Sequence, residues 1–356
     1  MNVQEYVNIN PTSYDEIMRI NKVFAPFNIM VNEVIRCAQS VKYILNLPLD
    51  ITIQGKIKKN ESNIVYTLSS ALLTQEYNYG HENNYVFIER PASLNSVNFA
   101  NYYDFNSNRL MLAMGTDSQG SRKKLDLAKA VHILVGGVTG SGKSELLHSF
   151  VCSLIKGMNH TGVELVIIDP KRAEYSPYKG CRSISVVTDM NHAERVLAHA
   201  VDIMEYRYSI LEQSGAKDIK TYRGNADMHP IVYIIDELAD LVMNYKSCER
   251  NIALIAQKSR ACGIHLIIGT QSPRRDIVTG LIKANIPTRI ALKTSSSIES
   301  RIIMERSGAE KLLGKGDMLY LGNGMFEPVR LQSAYVDESL KWQIANTIRM
   351  PIQVRA

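Results

Sequence analysis

HILVGGVTGSGKSELLHS, residues 132–149, decides how this chain is read. Ile133, Leu134 and Val135 form a short apolar run suited to a buried strand, and residues 145–150 open a helical pattern. Between them Gly137, Gly142, Lys143 and Ser144 stand at the G-x-x-x-x-G-K-[ST] spacing of a phosphate-binding P-loop. The physics of that spacing is specific. Glycines let backbone N–H groups close on phosphate oxygens, which also meet the positive end of the helix dipole. Gly137, Thr139, Gly140, Ser141, Gly142, Lys143, Ser144 and Glu145 are therefore expected to cradle the nucleotide. Lys143 would reach the β- and γ-phosphates of ATP, and the Ser144 hydroxyl would sit on Mg²⁺. A chance glycine-rich turn would rarely fill all four motif positions directly after a buried strand.

Outward from this loop, apolar strands alternate with helical patterns beyond about residue 115, the signature of βαβ units. Strands are expected at 131–135, 163–168, 184–187, 231–235, 264–269 and 289–293. A closing hairpin would join 317–321 to 327–331 through Gly322, Asn323 and Gly324. One helix starts near Asp189, repeats Leu197, Val201, Met204, Tyr208 and Leu211 at helical spacing, and stops before Gly215; another covers 249–261. The fold class is α/β with a central, mostly parallel sheet. Residues 31–114 differ: a strand at 41–47, a polar stretch with Lys56, Lys58, Lys59 and Asn60, a helix near 64–74, a Tyr-rich loop at 76–84 and a strand at 85–89. Four segments follow: 1–30, unassigned; 31–114, a small α+β domain; 115–340, the P-loop ATPase domain; 341–356, a tail. The junction 116–124, with Arg122, Lys123 and Lys124, reads as a polar, solvated connection.

The bulk properties bound these readings. With 356 residues, 45% hydrophobic and 21% charged, the chain has the composition of a soluble globular protein of about two domains. The net charge of +6 permits a polyanionic partner without requiring one. Five scattered cysteines (37, 152, 181, 248 and 262) lack CxxC spacing and argue for reduced thiols, hence a cytoplasmic setting. No apolar stretch approaches the about 18 residues a membrane helix needs, and the N-terminus carries no secretory pattern.

Downstream, IVYIIDELADLV (231–242) is a buried strand ending in Asp236 and Glu237. In P-loop ATPases an acid at this tip holds Mg²⁺, which assigns Asp236, and Glu237 is then the candidate to polarise the attacking water. Asp240 takes a structural reading, capping or pairing on the next helix. Gln271, after the strand at 264–269, is placed to bond the γ-phosphate or the lytic water, against the plainer role of a turn residue before Pro273. Lys171 ends the neighbouring strand and would serve either the site or a subunit face. An arginine reaching the γ-phosphate from an adjacent subunit would speed phosphoryl transfer by about 10³–10⁵. The residues alone leave Arg260, Arg289 and Arg301 open for that part.

GGVTGSGKS (136–144), VIIDPKRAEYSPY (166–178), VVTDMNHAERVL (186–197), IVYIIDELADLVM (231–243), QKSRACGIHLIIGTQSP (257–273), DIVTGLIKANIPTRIALKTSSSIESR (276–301) and GAEKLLGKGDMLYLG (308–322) together resemble the motor of FtsK/SpoIIIE-type DNA translocases. The likeness runs from about 130 to 336. A weaker one, through LPLDITIQGKIKK (47–59), IVYTLSSALL (64–73) and VFIERPAS (86–93), extends it into the small domain that precedes the RecA-like domain of such motors. The resemblance implies a ring, a homo-hexamer, threading double-stranded DNA through its pore while ATP is hydrolysed between subunits. It assigns Lys143 and Ser144 to the nucleotide, Asp236 and Glu237 to Mg²⁺ and water activation, and Gln271 to γ-phosphate sensing. It favours Arg260 as the finger acting in trans. DNA would meet segments 272–283 and 294–301, with Lys283 and Arg301 at the family's basic positions. Ser272 and Ser297 depart from that pattern; Arg274 and Arg275 restore charge near the first but nothing does so near the second. The chain is expected to lack a DNA-reading winged-helix domain and an N-terminal membrane domain, as a stripped motor from a phage, plasmid or conjugative element would. Two alternatives stay open: a protein-export ATPase like those of type VII secretion, and a DNA-recruiting coupling ATPase of a phage or conjugative element.

Overall fold

Continuous apolar runs such as 133–135, 231–235 and 266–268 suit strands covered on both faces, and that is where they lie. The computed structural model describes residues 11–36, 40–47, 51–72, 78–82, 85–91, 97–101, 105, 107–172 and 174–349. Cys37, residues 1–10, 73–77 and 83–84 of the early readings, and the end of the expected tail at 350–356 lie outside them.

In chain order the first elements are α1 (Pro11–Phe24), β1 (Glu33–Arg36), β2 (Ser40–Asn46), α2 (Ile51–Lys59), α3 (Glu61–Leu72), β3 (Asn78–Glu82) and β4 (Tyr85–Pro91). Their strands make an antiparallel sheet in the order β1-β2-β4-β3. Its core joins Ile17, Ile20 and Phe24 of α1, Tyr43 and Leu45 of β2, Ile57, Leu68 and Ile88. The buried Tyr43 hydroxyl donates to Glu16 Oε2 at 2.6 Å. Four features escaped the sequence reading, among them β1 and β3, the latter within the stretch read as a Tyr-rich loop at 76–84. Residues 11–24 form a helix, and the stretch of Lys56, Lys58 and Lys59 is helical; α2 buries Ile57 while Lys56, Lys58 and Lys59 stay exposed.

The following elements are β5 (Met111–Thr116), β6 (Arg122–Asp126), α4 (Leu127–Ala130), β7 (His132–Gly136), α5 (Lys143–Thr161), β8 (Glu164–Ile168), β9 (Ile184–Val187), α6 (Met190–Ser214), β10 (Ile231–Ile235), α7 (Leu238–Val242), α8 (Lys246–Lys258), β11 (Ile264–Thr270), α9 (Gly280–Asn285), β12 (Thr288–Leu292), α10 (Ser297–Met304), β13 (Asp317–Leu321), β14 (Val329–Ser333) and α11 (Glu338–Asn346). Their ten strands run β6-β5-β14-β13-β12-β7-β11-β10-β8-β9. The six from β12 to β9 are parallel and the four on the other side antiparallel, so the sheet is mostly parallel as expected. Alternate residues feed two cores. Ile133, Val135, Val232, Ile234 and Ile267 pack on Leu146 and Phe150 of α5 and Ile344 of α11. Leu134, Ile231, Tyr233, Ile235, Leu266 and Ile268 pack on Leu197 and Met204 of α6 and on α7 to α10. Asp189 caps α6 by accepting from His192 N–H, and Gly215 closes it at φ 65°.

One compact unit holds Met1–Ser96 with Ser118–Gly120 and Leu313–Lys315 and the other holds the rest, where β5 pairs with β14 and β6 in the large sheet. Gly115 makes that pairing possible. It sits beside a bulge at φ 131°, and a Cβ there would fall 1.8 Å from the Gln332 carbonyl oxygen. Residues Arg122–Lys124 belong to the outermost strand rather than to a solvated connection; all three are exposed, as charged side chains on a sheet edge are. The closing hairpin pairs β13 with β14 two residues later than expected. Among the described residues no helix is long and apolar enough to cross a membrane.

His132 on β7 and His265 on β11 lie at the start of the central strands with ring centroids 6.4 Å apart. His132 Nδ1 accepts from Leu266 N–H, and His265 Nδ1 donates to the Val131 carbonyl at 2.8 Å. Burial, with the other imidazole second, pushes His132 down to about 3, and burial pushes His265 down to about 4. The unfolded chain therefore takes up these protons first. The two rings contribute fully to stability above about pH 6.5, and that contribution falls as pH drops toward the folded values. The denaturant midpoint is expected to fall between pH 7 and pH 5, and His265→Asn to flatten that slope; an unchanged slope would show that these rings do not control it.

Candidate functional site

The P-loop leaves the carboxyl end of β7 and is pinned by its neighbours. Gly137 N–H donates to the Thr270 carbonyl of β11 at 3.2 Å, and Val138 N–H to that of Lys293, just beyond β12, at 2.9 Å. Ser141 N–H closes back on Val138 O, and Gly316 N–H donates to Ser141 O at 2.7 Å. Gly137 has no space for a side chain, since a Cβ would come 2.7 Å from Ser141 Oγ and 2.9 Å from Leu292 Cβ. Gly140 and Gly142 take φ values of 78° and 101°, and Lys143 then starts α5. The first N–H groups of that helix have no intrahelical acceptor and face the loop. Ser144 and Glu145 follow on its first turn.

Lys143 is 3% exposed, and its Nζ donates to Asp236 Oδ1 at 2.9 Å and to the Asp236 carbonyl. The contact exists because β7 and β10 flank β11, where Gly269 offers no side chain; a Cβ there would lie 2.5 Å from Asp236 O and 3.1 Å from Lys143 Nζ. Glu237, 5% exposed, is the cap of α7 and is fixed by three groups. The Thr270 hydroxyl donates to its Oε1 at 2.9 Å, Gln271 N–H to its Oε2 at 2.9 Å, and Ala239 N–H to its Oε1. The cap of this helix is thus Glu237 rather than Asp240. The Thr139 hydroxyl donates to Gln271 Oε1 at 2.9 Å, tying the loop to the end of β11. The structure therefore brings together Gly137, Thr139, Gly140, Ser141, Gly142, Lys143, Asp236, Glu237 and Gln271.

Four residues around this site were not singled out from the sequence. Asp169 ends β8 beside Asp236; its pKa is raised, by burial first and then by Asp236. Tyr175 is fully buried and its hydroxyl donates to Asp236 Oδ1 at 3.4 Å. Thr270 orients Glu237. Lys341 of α11, 5% exposed, donates to Glu145 Oε1 at 3.1 Å. The rule that ligand sites form beyond the carboxyl ends of adjacent parallel strands would have pointed to Asp169 and Thr270. No local pattern marks Tyr175 or Lys341. Around this site, among the described residues, four buried oxygens have no hydrogen-bond partner: Asp236 Oδ2, Asp169 Oδ2, Glu145 Oε2 and Ser141 Oγ. Unpaired carboxylate oxygens in a dry site fit a hard cation or its water, so Asp236 with the Ser144 hydroxyl suits Mg²⁺.

The remaining sequence candidates lie elsewhere. Arg260 follows α8 at the start of β11, exposed beside a cavity of about 440 Å³ that Lys217, Lys220, Lys258 and Arg109 also line. Seven residues of β11 at about 3.3 Å each put roughly 20 Å between the two strand ends, so Arg260 is far from the P-loop of its own chain. Arg289 is committed internally, to Glu305 at 3.1 Å and to the carbonyls of Ile286 and Lys283. Arg301 is exposed on α10, and Lys171 is exposed after β8. Arg274 and Arg275 are exposed between β11 and α9; Arg274 pairs with Asp276 at 3.0 Å. Lys283 is half-buried on α9. Among the described residues no hydrogen bond or ion pair joins Arg274, Arg275, Lys283 and Arg301 to one another or to the P-loop.

Removing one member of a buried ion pair strands the other charge, which typically costs about 3–5 kcal/mol. Lys143→Ala is expected to destabilise the nucleotide-free protein by that order. Adding Asp236→Ala should cost less than the sum of the single changes, read by chemical denaturation as a double-mutant cycle. Strict additivity would mean that the pair is not coupled.

The FtsK/SpoIIIE family pattern matches residues 94–230 and 225–275. The chain is 46% identical to the DNA translocase SftA of Bacillus subtilis, over 64% of this chain and 25% of that protein. It is 35% identical to the DNA translocase FtsK of Shewanella oneidensis, over 92% of this chain and 41% of that one. It thus spans less than half the length of either relative. Among solved structures, the pCW3 conjugation coupling protein TcpA, in a monomer form with ATPγS, superposes with a TM-score of 0.67 at 24% identity, covering 94% of this chain and 98% of that one. The cytoplasmic domain of the Thermomonospora curvata type VII secretion ATPase EccC gives 0.60 at 24% identity, covering 69% and 32%. These structural likenesses share the fold. The family pattern and the sequence matches lead to one conclusion: the chain belongs to the FtsK/SpoIIIE family.

Proposed function

We propose that this chain is an ATP-driven translocase of double-stranded DNA that works as a ring of six copies. The observation that carries the reading is the distance along β11. One end holds Glu237 through Thr270 and Gln271, and the other, Ile264, follows closely on Arg260, roughly 20 Å away. One copy thus presents a P-loop with its acids and, on another edge, an arginine in a cationic hollow. A second copy completes the site, and a closed ring completes every site.

The division of labour follows from the contacts. Backbone N–H groups of residues 137–145 take the phosphates, and Lys143 turns from Asp236 to the β- and γ-oxygens. Mg²⁺, when bound, neutralises charge on those oxygens. Ser144 and Asp236 would hold it. Glu237 is fixed by its three donors where it can take a proton from the attacking water, leaving ADP and phosphate as products. Gln271 touches Thr139 and Glu237 at once and so reads whether a γ-phosphate lies between them. Arg260 stabilises the transferring phosphoryl group of the next subunit. Arg274, Arg275, Lys283 and Arg301 meet the DNA backbone, which gives grip without base preference.

The test is ATP turnover with and without linear duplex. Duplex should stimulate turnover, with binding that weakens steeply as salt rises, by a slope of about −0.9 per phosphate neutralised. Lys143→Ala should abolish turnover. Glu237→Gln should bind ATP and turn over about 10²–10⁴-fold more slowly. Arg260→Ala should keep the nucleotide affinity of the lone subunit and lose about 10³-fold or more in turnover, and mixing it with Lys143→Ala chains should restore part of the activity. Turnover indifferent to duplex would favour an export or coupling ATPase, and a lone subunit under all conditions would end the ring reading.

A further inference from the structure

Asp236 carries more than the sequence assigns to it. Its Oδ1 receives both the Lys143 ammonium at 2.9 Å and the Tyr175 hydroxyl at 3.4 Å, while Oδ2 is buried without a partner. Beside it, at the same level of the adjacent parallel strand, stands Asp169, whose Oδ2 is also buried and unpartnered. Two acids at adjacent strand ends repel one another, and Lys143 offsets that repulsion in the nucleotide-free state. An ammonium has three donors and no acceptor, and phosphate oxygens compete for all of them. Once Lys143 serves the phosphates, Tyr175 is the side-chain donor left on Oδ1.

We propose that Tyr175 is a positioning residue: it holds the Asp236 carboxylate, with Oδ2 facing the Mg²⁺–nucleotide, after Lys143 has moved to the phosphates. The inference rests on the ATPase reading above. Two features suit Tyr175 to this task. It is fully buried, so water does not compete for its hydroxyl. Its ring is held by His148, at a centroid distance of 4.9 Å, and by Tyr178 at 6.2 Å. The 3.4 Å separation is long for a hydroxyl on a carboxylate, and it shortens when Oδ1 no longer serves Lys143.

Tyr178 supplies the control. It stands three residues on, equally buried, but its hydroxyl meets His148 Nδ1 at 3.1 Å and Cys152 Sγ at 3.5 Å instead of Asp236. The experiment measures binding of a fluorescent ATP analogue to wild type, Tyr175→Phe, Tyr178→Phe and Lys143→Ala, each in EDTA and across a Mg²⁺ titration. Tyr175→Phe should bind within about twofold of wild type in EDTA, yet need roughly tenfold more Mg²⁺ for half of the Mg²⁺-dependent gain, the scale of one hydrogen bond to a charged group. Tyr178→Phe should keep the wild-type midpoint. A wild-type midpoint in Tyr175→Phe overturns the proposal. Equal loss in EDTA and in Mg²⁺, or the same shift in Tyr178→Phe, makes the role structural and overturns it too. If wild type binds no nucleotide, or Lys143→Ala binds as well as wild type, the ATPase reading fails and takes this one with it.

Discussion

A lysine and an aspartate, both shut away from water, face each other across one strand at the carboxyl edge of a parallel sheet. Neither charge is tolerable there alone, and their attraction repays the lost hydration only because geometry and extra hydrogen bonds are good. That constraint organises what surrounds it. Lys143 starts the helix that follows β7, Asp236 ends β10, and the strand between them carries Gly269 because any side chain would collide with both. The loop can hold open backbone donors because its own carbonyls and amides are tied to β11, β12 and Gly316. A P-loop lysine parked on an acid is also poised. Phosphate offers it a better partner, and its departure frees the acid for another cation.

The sheet acts as a ruler for the second half of the site. Parallel strands have distinct ends, and β11 presents chemistry at both. Its carboxyl end supplies Thr270 and Gln271 to Glu237, while its amino end begins beside Arg260 and a hollow rich in lysine and arginine. A rigid, fully buried strand cannot bring those ends together within one copy. On the proposed function, assembly is then a condition of turnover, and Arg289, committed to Glu305 and to two carbonyls, is not available for the part given to Arg260.

How much of this was legible in the sequence depends on the range of the forces involved. The P-loop, the parallel strands and the helix from Asp189 to Gly215 are written in local spacing, and each lies within a few residues of its expected place. Helix α1 was legible, in the helical spacing of Ile17, Ile20 and Phe24, but was left unread; the helical run of Lys56 to Lys59 was harder to see, since Ile53 and Ile57 are the few apolar residues that mark its packed face. Strand β6 looked like a linker because an edge strand of lysines and arginine has no buried face to alternate with. Around the P-loop, the motif residues were readable and their custodians were not. Tyr175 and Lys341 reach their acids from 61 and 196 positions away, and such pairings leave no trace in a window of sequence. Asp169 could have been found by asking what stands beside Asp236 on the next strand.

Gln271 shows how chemistry at the phosphates could be passed on. Its N–H holds Glu237, its side-chain oxygen holds Thr139 of the P-loop, and the next residue begins the exposed segment with Arg274 and Arg275. Ser272 N–H bonds back to Thr270 Oγ1, the same hydroxyl that donates to Glu237. A nucleotide that draws Thr139 or Glu237 to new partners therefore breaks bonds on both sides of one short turn. Beyond it the backbone is still held, by Ile277 and Val278 N–H on the Arg274 carbonyl, but the side chains are braced less: the Arg274 guanidinium leans on Asp276 two residues away, and an exposed pair of that kind contributes at most about 1 kcal/mol. Motion is cheapest where the bracing ends. On the proposed function, the place where it ends is the start of the basic segment that meets DNA, so a change of a few bonds at Glu237 becomes a displacement at Arg274 and Arg275 without any need to deform the sheet.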